Sequence, residues 1–237
     1  MNKEDRDKEK FKQDLISTIK VISGDYKIEE KTKSNNTDSK KYNFFELSDL
    51  NIKDLNNKED YIKLRAETDS EALKRKFSNK KIYQKNLPKN NSCKSLYDFS
   101  EKIRYELLGT KMLNGISKNL KNNYANKIFH KKKDQLKSKD DVKIAEAFEL
   151  YMLKNFLDIK LNSLSEKILG YWEKEFTSSF EKHLNYLNKN IENQENYSSK
   201  LSEILQKMEI FDSENDDEKQ DNNENENSNN ENNNQDD

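Results

Sequence analysis

Gly109 and Gly115, two of the chain's four glycines, stand six residues apart inside Tyr97–Leu120 (YDFSEKIRYELLGTKMLNGISKNL), the segment that most constrains the fold. Its first half reads as a helix, because Leu96, Phe99, Ile103 and Leu107 recur at spacings of 3, 4 and 4 and so share one face. Glu101 and Arg104, three apart on the other side, fit a surface ion pair. Gly109 stands where a helix C-terminus favours a residue free to take positive φ. Leu113, Ile116, Leu120 and Tyr124 then open a second stripe, with Gly115 near its start. The segment predicts a helix, a turn fixed by glycine, and a second helix packed back on the first.

The rest of the chain is mostly helical in pattern. A first helix is expected over about Glu4 to Ser23, burying Phe11, Leu15, Ile19 and Ile22 and ending at Gly24. Tyr26–Lys33 and Tyr42–Leu47 favour extended structure around the polar run Ser34–Lys40, which predicts a small β-hairpin within 26–47. Asn57–Phe77 reads as a helix with Tyr61, Leu64 or Arg65, Thr68, Ala72 and Phe77 near one side. Ser78–Ser92, around the only proline, Pro88, and the lysine-rich Lys131–Lys139 read as connectors. Ala145, Phe148, Met152 and Phe156 form one stripe of a strong helix and Leu150, Leu153 and Leu157 another, so that helix belongs at the centre of a bundle. One long helix is expected around Ile168, Trp172, Phe176 and Phe180. A last one carries Leu201, Ile204, Leu205, Met208 and Phe211. The fold class is mainly α: a multi-helix bundle with one small hairpin.

Beyond Phe211 the composition changes. Residues 212–237 carry eleven acids, ten asparagines, one base (Lys219) and no apolar side chain. Such a stretch buries too little to offset the entropy of ordering, so 1–211 is the expected helical domain and 212–237 an expected disordered tail. Removing the tail, at −10, from a chain of −1 leaves the body at +9. Lysine outnumbers arginine 40 to 4 and isoleucine outnumbers valine 16 to 2, a bias fitting an AT-rich genome that discounts the lysine clusters as nucleic-acid patches. Cys93 alone permits no intrachain disulfide. The charged N-terminus lacks a signal-peptide core, and no run approaches a membrane span, which predicts a soluble, cytoplasmic chain.

The sequence carries no catalytic motif. There is no G-x-x-x-x-G-K-[ST], so no phosphate-binding loop. His130 and His183 lie far apart without neighbouring ligands, and Cys93 has no histidine close in sequence, so neither a metal site nor a thiol nucleophile is expected. The stretches 74–81 with Tyr83, and 127–133, mix cations with aromatics, as single-strand binders do. Phe77 and Phe129 fall on apolar stripes, however, and arginine is scarce, so nucleic acid is disfavoured. Trp172, with Tyr171 and Phe176, suits either a core position or an anchor on a partner surface.

In order, these pieces resemble the N-terminal region of the T subunit of aerobic cobaltochelatase, the CobT family. The shared features are Ile22-Ser23-Gly24-Asp25, then Arg65, Asp69, Ala72 and Leu73. Next comes the block Glu101, Arg104, Glu106, Gly109, Met112, Gly115, Asn119 and Leu120, in which the glycine-to-methionine gap is one residue shorter than in the family. Trp172 follows, with Tyr171 in place of the family's leucine, then Gln194 and Tyr197, and finally an acidic low-complexity run. The resemblance spans 10–237. Family members continue into a von Willebrand A-type domain with a D-x-S-x-S signature, which this chain lacks; a truncated or split subunit and a relative without that module both fit.

The resemblance implies a non-catalytic subunit, with no catalytic, cofactor-binding or metal-binding residues of its own. Its expected partners are an AAA+ CobS-like subunit and a large CobN-like corrin-binding subunit, with homo-oligomerisation left open and no membrane. The complex would use ATP, Mg2+ and cobalt(II), inserting cobalt into hydrogenobyrinic acid a,c-diamide for cobalamin. Glu101, Arg104, Glu106, Gly109, Met112, Gly115, Asn119 and Trp172 are the implied structural or partner-binding residues. A helical adaptor, a nucleic-acid-binding protein and an AAA+ partner acting on a non-corrin substrate are the alternatives.

Overall fold

Asparagine side chains start most of the helices. Asn57 accepts the N–H of Asp60, whose carboxylate accepts the Asn57 N–H in return, closing a capping box. Asn79, Asn90, Asn162 and Asn193 likewise accept N–H groups from the first turns that follow them. Each cap satisfies a donor that a helix N-terminus leaves unpaired, worth about 1 kcal/mol relative to alanine. A residue abundant for compositional reasons therefore sets the helix boundaries.

The computed structural model describes residues 3–27, 29–30, 44–45, 57–129 and 138–208. The order is α1 (Lys3–Ser23), β1 (Glu29–Glu30), β2 (Phe44–Phe45), α2 (Lys58–Phe77), α3 (Lys80–Lys85), α4 (Asn91–Met112) and α5 (Asn114–Phe129). A short 3-10 turn (Lys139–Asp141) leads into α6 (Ile144–Phe156), α7 (Ser163–Gly170), α8 (Glu173–Lys189) and α9 (Gln194–Gln206). No helix among the described residues is long and apolar enough to cross a membrane.

Two apolar clusters meet along α4. In the smaller, Leu15, Ile19 and Ile22 of α1 pack with Leu64, Ala72 and Leu73 of α2 and with Tyr105, Ile116 and Leu120. The larger joins α4 and α5 to α6–α9. At its centre Phe148 meets Phe176 and Phe180 with ring centroids 5.4 Å apart in both pairs. α6 is buried on most of its circumference, as its two stripes predict, except that Ala145 is exposed and Ala147 is buried. Gly24 ends α1 with φ 74, as expected, and its N–H reaches Lys20 O at 3.0 Å.

Several expectations are corrected. The hairpin does not form: β1 and β2 pair in parallel, Glu29 with Phe44 and Glu30 with Phe45, and a tight loop joins only antiparallel strands. The expected loop Ser34–Lys40 lies outside the described residues, as do 130–137 and the acidic tail. Ser78–Ser92 is not a plain connector, because Asn79 and Asn90 cap α3 and the start of α4 within it. Cys93 therefore sits buried in the first turn of α4, its Sγ 3.6 Å from Leu205 O.

The long helix around Trp172 is two helices. The chain breaks after Gly170, a weak helix former, and Trp172 leaves helical geometry at φ −126 and ψ −5. Its indole Nε1 donates to Val142 O at 3.3 Å, and Lys139 Nζ lies 4.0 Å from the ring centroid. Phe129 is 77% exposed rather than in the core. It is the last residue of α5, where the stripe carried by Tyr124 and Ile128 has turned away from it.

Candidate functional site

Glu101 and Arg104 are not a surface pair. They are 3% and 1% exposed, because the middle of α4 packs against α2, α5, α6 and α9. Arg104 Nε donates to Glu101 Oε2 at 3.2 Å. Its Nη1 reaches Ile191 O at 3.3 Å, and Nη2 reaches Phe77 O at 2.7 Å and Ser78 Oγ at 3.4 Å. Glu101 also accepts from Gln194 Nε2 at 3.1 Å and from the Ser198 hydroxyl. Gln194 Oε1 in turn accepts the Asn79 N–H at 2.6 Å. One guanidinium thus ties the end of α2 and the α8–α9 connection to α4. A buried pair with this many partners is costly to break but leaves no open valence for chemistry.

One turn further on, Glu106 is buried and accepts the hydroxyls of Ser70 at 2.6 Å and Tyr124 at 2.7 Å. Lys102 Nζ stands 3.9 Å from it. Loss of hydration pushes the Glu106 carboxyl above the ordinary carboxylate range, against the pull of Lys102 and the two hydroxyls. Tyr124 is pushed up too, by burial and by the Glu106 charge.

Gly109 does not take positive φ. Among the described glycines only Gly24 does, and Gly109 lies inside α4, where its carbonyl accepts the Leu113 N–H at 3.1 Å. The glycine is there for space: a Cβ would fall 2.6 Å from Leu73 Cδ2 and 3.0 Å from Leu73 Cγ, with Cδ1 closer still. The α4–α5 turn is made by Leu113 in ordinary extended geometry, φ −141 and ψ 123, so neither glycine fixes it.

Gly115 instead opens onto free space, with nothing within 4 Å of the place a Cβ would occupy. It lines a groove of about 420 Å³ between α1, α2 and α5, together with Thr18, Val21, Arg65, Asp69 and Asn119. At its floor Asn119 Nδ2 donates to Asp69 Oδ2 at 2.7 Å, and Arg65 Nε lies 4.0 Å from Asp69 Oδ1. Burial raises the Asp69 carboxyl above its usual range, while Asn119 and Arg65 act against that shift. At the rim Val21 and Leu113 are 67% and 49% exposed, and Met112, next in the chain, is also exposed. Apolar side chains left in water around a polar floor are features of a partner-binding surface.

A family model described as Cobalamin biosynthesis protein CobT matches residues 5–237. The chain belongs to the CobT family. Membership implies a role in cobalamin biosynthesis and suggests work within a multisubunit cobaltochelatase. No solved structure matches the chain.

Apart from Glu106, bonded to Ser70 and Tyr124, most of the residues that carried the CobT resemblance fall into three places. Glu101, Arg104 and Gln194 form the buried knot, joined by Tyr197, whose hydroxyl donates to Ser100 O at 3.2 Å. Gly109 and Leu73 form the close helix crossing. Arg65, Asp69, Gly115 and Asn119 converge on the groove, with Met112 beside it. Trp172 belongs to none of them and packs against the larger core.

The sequence reading missed Ser70, Tyr124 and Ser198 as partners of the buried carboxylates, and Val21 and Leu113 as the exposed rim. Ser198 had a signal, since it follows Gln194 by one helical turn on the face that also carries Leu201 and Leu205. Among the described residues, no group of three or more His, Cys, Asp or Glu side chains is placed to hold a metal ion.

Proposed function

We propose that this chain is a non-catalytic assembly subunit of an ATP-dependent cobaltochelatase. It supports insertion of cobalt(II) into hydrogenobyrinic acid a,c-diamide, and it meets an AAA+ subunit through the α1–α2–α5 groove. In this reading ATP and Mg2+ belong to the AAA+ partner, a large CobN-like subunit holds the corrin, and cobalt is cargo. The observation that carries it is the convergence of Arg65, Asp69, Gly115 and Asn119 on one open groove with the exposed apolar rim of Val21 and Leu113. Glu101, Arg104 and Glu106 of α4, by contrast, are bonded within the bundle and offer a partner nothing.

Co-sedimentation with the AAA+ subunit in the presence of ATP tests this. Wild-type chain should co-migrate, and Leu113→Asp should weaken association at least about tenfold, as loss of a buried interface anchor does. Circular dichroism checks that the variant keeps its helices. Equal co-migration of wild type and variant would refute the groove, and absence of any association would refute the assembly role.

A further inference from the structure

We propose that the groove between α8 and α9 is a docking site for this chain's own acidic segment, beginning at Asp212. The proposal is independent of the cobaltochelatase reading. The groove, about 450 Å³, is lined by Lys182 and His183 of α8, Lys200 of α9 and Lys207 just past its end, with Glu175 and Glu203 among them, over an apolar floor of Ile204 and Met208.

Its two acids are already engaged. Glu175 accepts from Lys139, and Glu203 accepts from Lys200 at 2.9 Å and Lys207 at 2.8 Å, which holds the Glu203 carboxyl down at about 2. Lys182 has no ion-pair partner among the described residues. His183 is lowered by loss of hydration and then by Lys200, Lys182 and Lys207, so several positive charges act on one point of the groove, with Glu203 opposing them.

The path of the chain selects the occupant. The last described residue, Met208, itself lines the groove, and Asp212 follows four residues later. Four extended residues reach about 14 Å, whereas Lys200 to Lys207 spans about 10 Å along α9. Acids stand at 212, 214, 216, 217 and 218, dense enough to face Lys182 while competing with Glu203 for Lys200 and Lys207. Each exposed contact is weak, but the tether holds these acids beside the groove at an effective concentration of order millimolar.

Paramagnetic relaxation in the full chain tests this, with a nitroxide on Ser213→Cys. Cys93 is buried and stays unlabelled, which mass spectrometry verifies. At low salt the amides of Lys182, His183 and Lys200 should lose most of their intensity. They should recover it at about 0.5 M salt, where the screening length falls to a few ångströms. Replacing Asp212, Glu214, Asp216, Asp217 and Glu218 by their amides changes no described residue and should restore the same amides without salt. Broadening confined to residues flanking Met208 would overturn the proposal. Broadening indifferent to salt and to neutralisation would also overturn it, as would broadening between differently labelled chains in a mixture, which would mean docking on a second copy.

Discussion

Replacing Gly109 by alanine sets two effects of known sign against each other. In an open helix interior, Gly→Ala stabilises by about 0.8–1.0 kcal/mol through backbone entropy. Here the new methyl would enter the space of Leu73, with Cδ2 at 2.6 Å and Cγ at 3.0 Å. Leu73 is fully buried among Ile19, Ala72 and Leu120, so its side chain has no exposed side to retreat to. Overpacking of this kind costs about 1–3 kcal/mol, which leaves a net destabilisation of about 0–2 kcal/mol. Valine, with two further methyls and a smaller propensity gain, should lose at least about 2 kcal/mol, or roughly 4–8 °C in Tm for a chain of this size.

Urea denaturation of a double-mutant cycle with Leu73→Ala isolates the cause. Leu73→Ala alone should cost about 2–5 kcal/mol, but in that background Gly109→Ala should become stabilising, giving a coupling of at least about 1 kcal/mol. If Gly109→Ala stabilises the native bundle, or if the two changes simply add, close packing is not why glycine is required.

The buried knot gives a second prediction: Arg104→Met should cost about 3–5 kcal/mol by stranding Glu101, and adding Glu101→Met should recover part of that loss in the same denaturation assay. The third concerns pH. The Glu106 carboxyl is raised in the folded state, so the native protein keeps a proton that the unfolded chain releases above about pH 4.3. Stability therefore declines as pH rises from that value to the folded pKa and is flat above it. Glu106→Gln removes this decline, so its stability relative to wild type should improve as pH rises above about 4.3, by urea midpoints. Relative stability that falls as pH rises from that value would contradict the assignment. Fourth, Asn57→Ala should cost about 1 kcal/mol through loss of the α2 capping box.

Much of the helical layout was legible because long apolar stripes fix helices whatever they pack against: α1 and α2 lie close to where periodicity put them, and α6 is central, whereas α9 starts at Gln194 and ends at Gln206, short of Met208, with Phe211 outside the described residues. The failures have one physical source, that a residue's neighbours across the bundle are silent in local sequence. Charged residues are seldom fully buried, so Glu101 and Arg104 read as surface. The donors to Glu101, Gln194 and Ser198, lie more than ninety positions away. Gly109 stood out as a required glycine, but its reason, Leu73, is on another helix, and local reasoning supplied a positive φ that the chain does not use. The α7–α8 break was hidden because Trp172 continues the apolar stripe while its indole and ring are held by Val142 and Lys139. The groove was partly visible, since Arg65, Asp69, Gly115 and Asn119 carried the family resemblance; only the fold brings them together.

Hydrogen–deuterium exchange on the wild-type chain, with and without the AAA+ subunit and ATP, tests the assembly role most directly. Docking in the α1–α2–α5 groove predicts new protection at Ser17–Ile22 of α1 and at Leu113–Leu120, with α6 and α7 unchanged. Protection elsewhere, or none when both proteins and nucleotide are present, would contradict it.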